Sequence, residues 1–460
     1  MAAVKTEPVV LSLNLLIDEK NYRVVAAEAN RDFVDTLFSF FTFPMGTIIR
    51  LITSTSAEEK PTSVAVGCMN KLYEGVQKLS TEYWQTEYCK SMLLNPRNPL
   101  AYYFRKLKIN IDDSGSDFTY SCCWCAGYHS IYKEISCKCG KGKTTYPKEK
   151  KPADWNASSK EGAFLKGAIE FLITDDLQVR PASAEFVAQL MPNTGSKEAT
   201  RIREMCVNVS KAELILLLAR SLVSESPLSD VFLTKDPAFE TVGTQVKPSK
   251  LGATISSSPV VPLETTEQNG PTLNLKVSCV KSTKQILFGE ATDEFFDFLC
   301  TFLTTPIGLT VCILKGQSGI KCMDNLYTSI VELDQKWFRS SNKSGLLDLC
   351  VAQDHNCKKQ PIKSLRSEPL DTKLLSPKGS DNFAVEPSMF FVSDDFEVKP
   401  LSVSSSYLLL NKLEISFNQT EVQWVTIGMK EAMSLLKAAL TSPSSALTIG
   451  LGPFLQKQKP

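Results

Sequence analysis

The chain contains very few histidines and lacks the short motifs of the common hydrolases and nucleotide-binding enzymes. Only two histidines, His129 and His355, occur in 460 residues, so a nucleophile activated by histidine has almost no candidate base. The sequence has no Gly-x-Ser-x-Gly, no His-Glu-x-x-His and no Gly-x-Gly-x-x-Gly pattern. These absences favour a non-enzymatic protein.

A strong net charge and long apolar segments are also missing. With a formal net charge of +1, the protein as a whole has no strong electrostatic attraction to nucleic acid or to membranes. The longest uncharged runs, at 36–49, 298–314 and 438–456, are broken by proline or diluted by polar residues, whereas a membrane span needs ~20 mainly apolar residues. Residues 1–8 contain no apolar core of a signal peptide. We therefore expect an intracellular protein, cytoplasmic or nuclear, with no transmembrane segment and with reduced or metal-bound cysteines.

Two parts of the chain match each other and indicate an internal repeat. At least nine residues have an identical partner 262 positions later (273 − 11 = 262): Leu11, Leu13, Glu28, Ala29, Phe33, Asp35, Leu37, Pro44 and Gly46. A second block matches at an offset of 254, from Cys68 to Cys322, and a third at 219, from Phe171 to Phe390. We expect the offset of 219 to continue into the following helix. Three blocks in the same order predict two copies of one unit.

Each copy is predicted to contain both strands and helices. Apolar residues alternate over 11–15, which indicates a half-buried strand. Asn30 is placed to cap a helix that Pro44 ends. A hairpin is predicted over 171–179, and a capping box at 210–213 begins another helix. Because these elements lack a strict strand–helix–strand rhythm, we expect an α+β fold.

The predicted domain organisation has two repeats. We place the first at 9–233, with a cysteine-rich, zinc-ribbon-like insert at 101–151, and the second at 272–452. The segment between them, 234–271, is rich in Ser, Thr, Pro and Gly and is predicted to be a flexible linker. We also expect low order at 353–382, which takes the place of the insert in the second copy.

In combination, several of these blocks resemble the plant proteins grouped as domain of unknown function 674. The blocks are the strand at 11–18, Asp32–Asp35, Pro44–Thr47, Leu94–Asn98, Cys137–Gly140 and Ile173–Leu177. The resemblance covers nearly the whole chain. It implies two repeats and no established activity, so it supplies no catalytic residues.

The insert contains cysteines with the spacing of a zinc site. Two residues separate Cys122 from Cys125, and one residue separates Cys137 from Cys139. Gly140 can take the left-handed conformation that a tight turn around a metal needs. Two such turns can bring four thiolates to one zinc ion at ~2.3 Å. Four cysteine ligands leave no open position for water, so we expect a structural zinc and not a catalytic one.

The identity of the four ligands stays open at this point. Because the second pair is Cys-x-Cys and not Cys-x-x-Cys, Cys123 and His129 are alternative ligands. A set of reduced thiols on a loop is the alternative without metal. The second copy has only Cys350 and Cys357 in the corresponding stretch, so we expect no metal there.

The insert is also basic and aromatic. Residues 101–151 contain ten Lys and Arg and five Asp and Glu, a balance of +5 that falls to +3 if a zinc with four thiolates adds −2. The interleaved aromatic residues are Tyr120, Trp124, Tyr128 and Tyr132. Lysines with aromatic side chains can bind phosphates and stack on bases. Nucleic-acid binding through Lys138, Lys141 and Lys143 is therefore an alternative function, and a solvated loop is the simpler interpretation.

Acidic residues that recur in both copies could form an acid and base pair, but we interpret them as structural. The pairs at 175–176 and 394–395 lie at predicted hairpin tips, where Asp forms turn hydrogen bonds. Glu28 and Glu290 are interpreted as charges at the start of a helix. The leading hypothesis is a non-enzymatic interaction protein with a structural zinc site and a protein partner; an enzyme of unknown type is the remaining alternative.

Overall fold

The computed structural model describes most of both predicted repeats. The described residues are 9–54, 64–112, 118–125, 127–149, 162–190, 201–233, 270–339, 342–365, 367–379 and 381–455. Of the predicted linker, only residues 270–271 are among the described residues. The end of the insert, beyond residue 149, lies outside the described residues.

The first half of the chain forms an antiparallel sheet with the strand order β7-β6-β2-β1-β8. Its elements are β1 (Leu11–Asp18), β2 (Arg23–Asn30), α1 (Arg31–Thr42), α2 (Met45–Ser54), α3 (Met69–Lys78), α4 (Glu87–Leu94), β3 (Phe118–Cys122), β4 (His129–Ser130), β5 (Thr144–Glu149), β6 (Glu170–Thr174), β7 (Val179–Pro181), α5 (Ala184–Leu190), β8 (Ile202–Val209), α6 (Lys211–Ser221) and α7 (Pro227–Phe232). Strands β4-β3-β5 form a separate small sheet in the insert.

The second half repeats this strand order as β12-β11-β10-β9-β13. Its elements are β9 (Leu273–Val280), β10 (Ile286–Thr292), α8 (Asp293–Thr304), α9 (Ile307–Ile313), α10 (Lys321–Glu332), α11 (Asn342–Leu347), β11 (Met389–Ser393), β12 (Val398–Pro400), α12 (Val403–Lys412), β13 (Thr420–Ile427), α13 (Met429–Thr441) and α14 (Ala446–Leu451). Antiparallel sheets mixed with helices confirm the predicted α+β class. The shared strand order agrees with an internal repeat.

The first long helix of each half begins at a side-chain cap. Asn30 Oδ1 accepts a hydrogen bond from the Phe33 N–H at 3.2 Å, as predicted. Thr292 Oγ1 caps α8 in the same way through Phe295 at 3.4 Å. Each cap satisfies one of the free N–H groups at a helix start. Helix α1 ends at Thr42, just before Pro44.

The predicted offset of 219 is wrong by one residue at the next pair of helices. Glu213 accepts from the Ser210 N–H at the start of α6, and Glu431 accepts from the Gly428 N–H at the start of α13, both at 3.0 Å. These equivalent caps differ by 218 positions (428 − 210 = 218). The second half has therefore lost one residue before this helix.

The two halves meet back to back at the prolines that break their apolar runs. An antiparallel bridge joins Pro44 to Pro306. On its two sides, the N–H groups of Met45 and Ile307 each donate to a carbonyl of the other half, at 3.2 and 3.0 Å. The reciprocal bonds give this contact between the halves an approximate twofold arrangement.

Each half also places a helix against the sheet of the other half. Helix α10 lies beside β7, where Ser329 Oγ accepts from the Val179 N–H at 2.8 Å. Helix α3 lies beside β12, and the residue before it, Cys68, donates its N–H to Ala439 of α13 at 2.8 Å. One hydrophobic core contains buried residues of both halves. This shared core does not divide into one part for each half. The predicted boundaries of the repeats, at 9–233 and 272–452, therefore stay a prediction.

The prediction of low order at 353–382 is wrong for the residues that the structure describes. Asp354 and His355 are 3% and 1% exposed, and Lys378 is 3% exposed. Lys378 Nζ donates to the carbonyls of Asn356 and Asp381 and lies 4.3 Å from the centre of the Phe383 ring. Prolines and lysines along this segment suggested solvation, but tertiary contacts bury several of its residues.

Two matching aspartates hold the chain where it approaches β6 and β11. Asp35 accepts hydrogen bonds from the N–H groups of residues 163–165, at 2.6, 3.1 and 2.9 Å. Asp297 accepts from Phe383 and Ala384, at 2.9 and 3.0 Å. Burial raises the pKa of both carboxyl groups to about 7, while the N–H groups act in the opposite direction. No described helix is long and apolar enough to cross a membrane.

Candidate metal centre

The structure brings together the four cysteines that the spacing suggested. The sulfur atoms of Cys122, Cys125, Cys137 and Cys139 all lie within 4.8 Å of one another. Cys122 Sγ is 3.6 Å from Cys139 Sγ, and Cys125 Sγ is 3.7 Å from Cys137 Sγ. A tetrahedron with metal–sulfur bonds of ~2.3 Å has edges of about 3.8 Å, whereas a disulfide is ~2.05 Å long. The spacing fits a shared metal ion.

The first turn directs backbone N–H groups at its two sulfurs. The N–H groups of Cys125 and Trp124 donate to Cys122 and lower the pKa of that thiol to about 6. The N–H groups of Gly127 and Tyr128 donate to Cys125 and lower its pKa. Hydrogen bonds to sulfur favour the thiolate, which is the form that binds metal. The same donors hold the turn after β3 closed.

The second turn is a tight loop that ends the hairpin between 135 and 144. Cys137 donates its N–H to the Gly142 carbonyl at 2.9 Å, and Gly140 donates to the Cys137 carbonyl at 3.0 Å. Gly140 has φ +72°, so the predicted left-handed glycine is confirmed. Burial raises the pKa of Cys137 to about 12. A bound cation would oppose that effect by favouring the thiolate.

The insert has almost no apolar core of its own. Its buried cluster consists of Cys122, Ile135, Cys137 and Leu375, and Leu375 belongs to the second half of the chain. Two of these four residues are proposed metal ligands. Metal–sulfur bonds would therefore supply the stabilisation that apolar packing provides in larger domains.

The insert is bound along its β4 edge to the second half. His129 donates its N–H to the Lys373 carbonyl at 3.0 Å and accepts from the Leu375 N–H at 2.7 Å. The His129 ring lies 3.2 Å from an Asp371 carboxylate oxygen. Neither His129 nor the exposed Cys123 belongs to the group of four sulfurs. The geometry thus favours the ligand set of four cysteines over the two alternatives.

The repeated aspartates at the hairpin tips anchor the last helix of each half. Asp175 accepts from Ser229 Oγ at 2.6 Å and from its N–H at 2.9 Å. Asp394 accepts from Thr448 Oγ1 at 2.8 Å and from its N–H at 2.7 Å. Burial raises the pKa of each carboxyl group to about 6. These contacts support the structural interpretation, since each carboxylate is already used by a helix.

The interpretation of two recurring glutamates as helix-start charges is wrong. Glu28 lies within β2 and accepts from Asn14 across the strand pair at 3.3 Å. Glu290 lies within β10 and pairs with Lys276 at 2.9 Å. Both strands run directly into the following helix, so short sequence distance from the helix was misleading.

Sequence reasoning missed an exposed apolar surface in the second half. We call these exposed side chains together the C-terminal apolar surface; they are Val403, Tyr407, Leu408, Leu413, Phe417, Val422 and Trp424. Trp424 is 69% exposed and pairs with Lys276 across β13 and β9. The matching positions on β8 are Glu204 and Cys206. The alternation of Val422 and Trp424 was visible in the sequence, but the sheet face that it occupies was not.

Comparisons with known proteins return one family. A family model described as "Protein of unknown function (DUF674)" matches residues 7–374, 363–430 and 381–457. No curated protein and no solved structure matches the chain.

Proposed function

The chain belongs to the DUF674 family, and because the family model names no activity, we propose a function from the geometry. The protein is a non-enzymatic intracellular interaction protein. A structural zinc ion braces its insert against the second half, and its C-terminal apolar surface binds a protein partner. None of the 14 cysteines forms a disulfide, which supports a reducing compartment.

The observation that carries the metal proposal is the convergence of four sulfurs from two turns. Thiolate ligands in a tetrahedral arrangement favour zinc among the common divalent ions. Four protein ligands fill the coordination sphere, so the ion has a structural role. The ion would hold Cys122 and Cys137 against Leu375. Its effect is then to fix the insert on the segment at 371–375.

Metal analysis of the purified protein tests this proposal. We expect about one equivalent of zinc in the wild type and near none in Cys137→Ser, because serine replaces a thiolate ligand. Cys123→Ser is the matched control, since this neighbouring thiol lies outside the cluster, and it should retain the zinc. The measurement is elemental analysis of freshly purified protein, together with limited proteolysis of the insert before and after chelation.

Two results would contradict the metal proposal. A wild type that contains no metal and whose insert resists proteolysis equally well with chelator would show that no ion braces it. Loss of zinc in Cys123→Ser with full zinc in Cys137→Ser would show that the ligand set is wrong.

The difference between the two sheets supports the partner proposal. Strand β13 lies at the edge of its sheet, and no described residue forms backbone hydrogen bonds along its outer side. Its outward side chains Val422 and Trp424 are apolar and exposed, whereas the edge strand β8 presents Glu204 at the matching position. Charged edges prevent pairing with other chains, and apolar edges invite it. The partner that fits is an extended, apolar peptide segment that adds a strand to β13.

Site-specific photo-crosslinking in cells of the source organism tests the partner proposal. A photoreactive residue at Val422 should crosslink to a discrete protein, and the product should decrease at least about tenfold with Trp424→Lys, because a charge would be buried at the contact. The same residue at Glu204 is the matched control and should give no such product. Equal products at both positions would contradict a specific surface.

A further inference from the structure

One tryptophan of the insert is exposed although its neighbours form a closed turn. Trp124 is 70% exposed, while Cys122 and Cys137 beside it are 2% and 6% exposed. The indole lies across the second turn: a Cβ placed on Gly142 would be 2.3 Å from Trp124 Cδ1. Glycine at 142 therefore allows the ring to rest on the turn with its surface toward solvent.

Lysines surround the backbone on which this ring rests. Residues 137–147 contain Lys138, Lys141 and Lys143 and no acidic residue. All three lysines are exposed or half-exposed, and none forms an ion pair with a described residue. Lys141 and Lys143 directly flank Gly142 in the chain, so both exposed lysines belong to the turn that supports the indole.

We propose that the Trp124 ring and the three lysines of the second turn bind single-stranded nucleic acid. The indole stacks on an unpaired base, and the lysines contact the adjacent phosphates. This inference rests on the proposed zinc site, because the metal would hold the two turns together. An unpaired strand fits better than a duplex, since stacking on one aromatic ring requires a base that is free of its neighbours.

The charge balance predicts weak and salt-sensitive binding. A zinc with four thiolates carries −2 and reduces the local field of the three lysines to +1. Direct ammonium–phosphate contacts remain, and each releases counterions from a single strand with a slope of about −0.7. Three contacts predict a slope of about −2 in log affinity against log salt. Binding should therefore weaken roughly 20-fold between about 50 and about 200 mM salt.

Fluorescence anisotropy with labelled oligo(dT) and oligo(rU) and the zinc-loaded full chain tests the proposal. Trp124→Ala should weaken binding at least about fivefold, as loss of one base stack predicts, and Trp124→Tyr should restore most of it. Lys141→Gln should reduce the size of the salt slope by about 0.7. Lys430→Gln, an exposed lysine of α13, is the matched control and should change neither quantity. The two probes distinguish DNA from RNA, and a duplex of equal length should bind more weakly than the single strand.

The zinc content of every variant separates the possible failures. If Trp124→Ala keeps its zinc and binds the probes as tightly as the wild type, the nucleic-acid inference is wrong and the zinc proposal stands. Binding that does not depend on salt, or equal binding of the duplex, also overturns the inference. A wild type without zinc contradicts the proposed function, and binding of either probe by that metal-free protein would show that no ion organises the nucleic-acid site.

Discussion

Expressed separately, residues 9–233 and residues 270–455 are each expected to be largely unfolded, although each contains all five strands of one sheet. Each half leaves its own sheet without the helix that the other half supplies, α10 for the first sheet and α3 for the second. One continuous core holds apolar residues of both halves. Separation would expose that surface at a cost of roughly 25 cal/mol for each Å².

Circular dichroism and denaturant titration of the separate halves check this prediction, and co-expression should restore a stable complex. The control is the full chain with a protease site inserted at 234–269 and then cleaved. The cleaved chain should stay folded, because the contacts between the halves do not depend on covalent connection. A soluble half that unfolds cooperatively by itself would show that the repeats are independent domains.

Replacing Arg97 with methionine is expected to lower the free energy of unfolding by about 3–5 kcal/mol. Arg97 of the first half donates to Asp354 at 3.1 Å and to Glu368 at 2.9 Å, both in the second half. The Asp354 side chain is 1% exposed and the Arg97 side chain 17%. Because the Asp354 carboxylate is buried and that of Glu368 is partly buried, removing the guanidinium leaves negative charge without compensation.

A surface ion pair between the same two halves provides the matched control. Arg180 Nη2 lies 3.3 Å from Glu332 Oε2, with both side chains about half exposed. Arg180→Met should cost about 0–1 kcal/mol, since water screens this pair. Urea titrations of both variants at neutral pH measure the difference. Equal costs would contradict a special role for the buried network.

The pH dependence of stability gives a second readout of the same network. Burial by itself raises the pKa of Asp354, but His355 and Arg97 beside it lower the pKa well below its usual range. Its contribution to stability is therefore complete above the unfolded pKa of ~3.9 and is lost as the pH falls below that value. Wild-type stability should fall more steeply on acidification than that of Asp354→Asn. Equal slopes would show that the ionised carboxylate is not what the network stabilises.

Local features could be predicted from the sequence because neighbouring residues determine them. The Asn30 cap needs only its own side chain and the Phe33 N–H three residues later. The left-handed Gly140 and the break before Pro44 follow from backbone sterics. The four sulfurs could be grouped because each pair lies within one short turn. These contacts span few residues, so their geometry depends little on the rest of the fold.

Contacts between distant segments were decided only by the tertiary structure. Nothing in the sequence indicates that α3 and α10 pack on the opposite sheets, or that Arg97 meets Asp354 257 positions later. The segment at 353–382 has the composition of a loop, and only tertiary contacts, with the first half, the insert and the rest of the second half, bury several of its residues. The chain by itself determined its helix starts, turns and cysteine pairs. Packing across the two halves decided which face of each element is buried, because burial depends on partners far away in sequence.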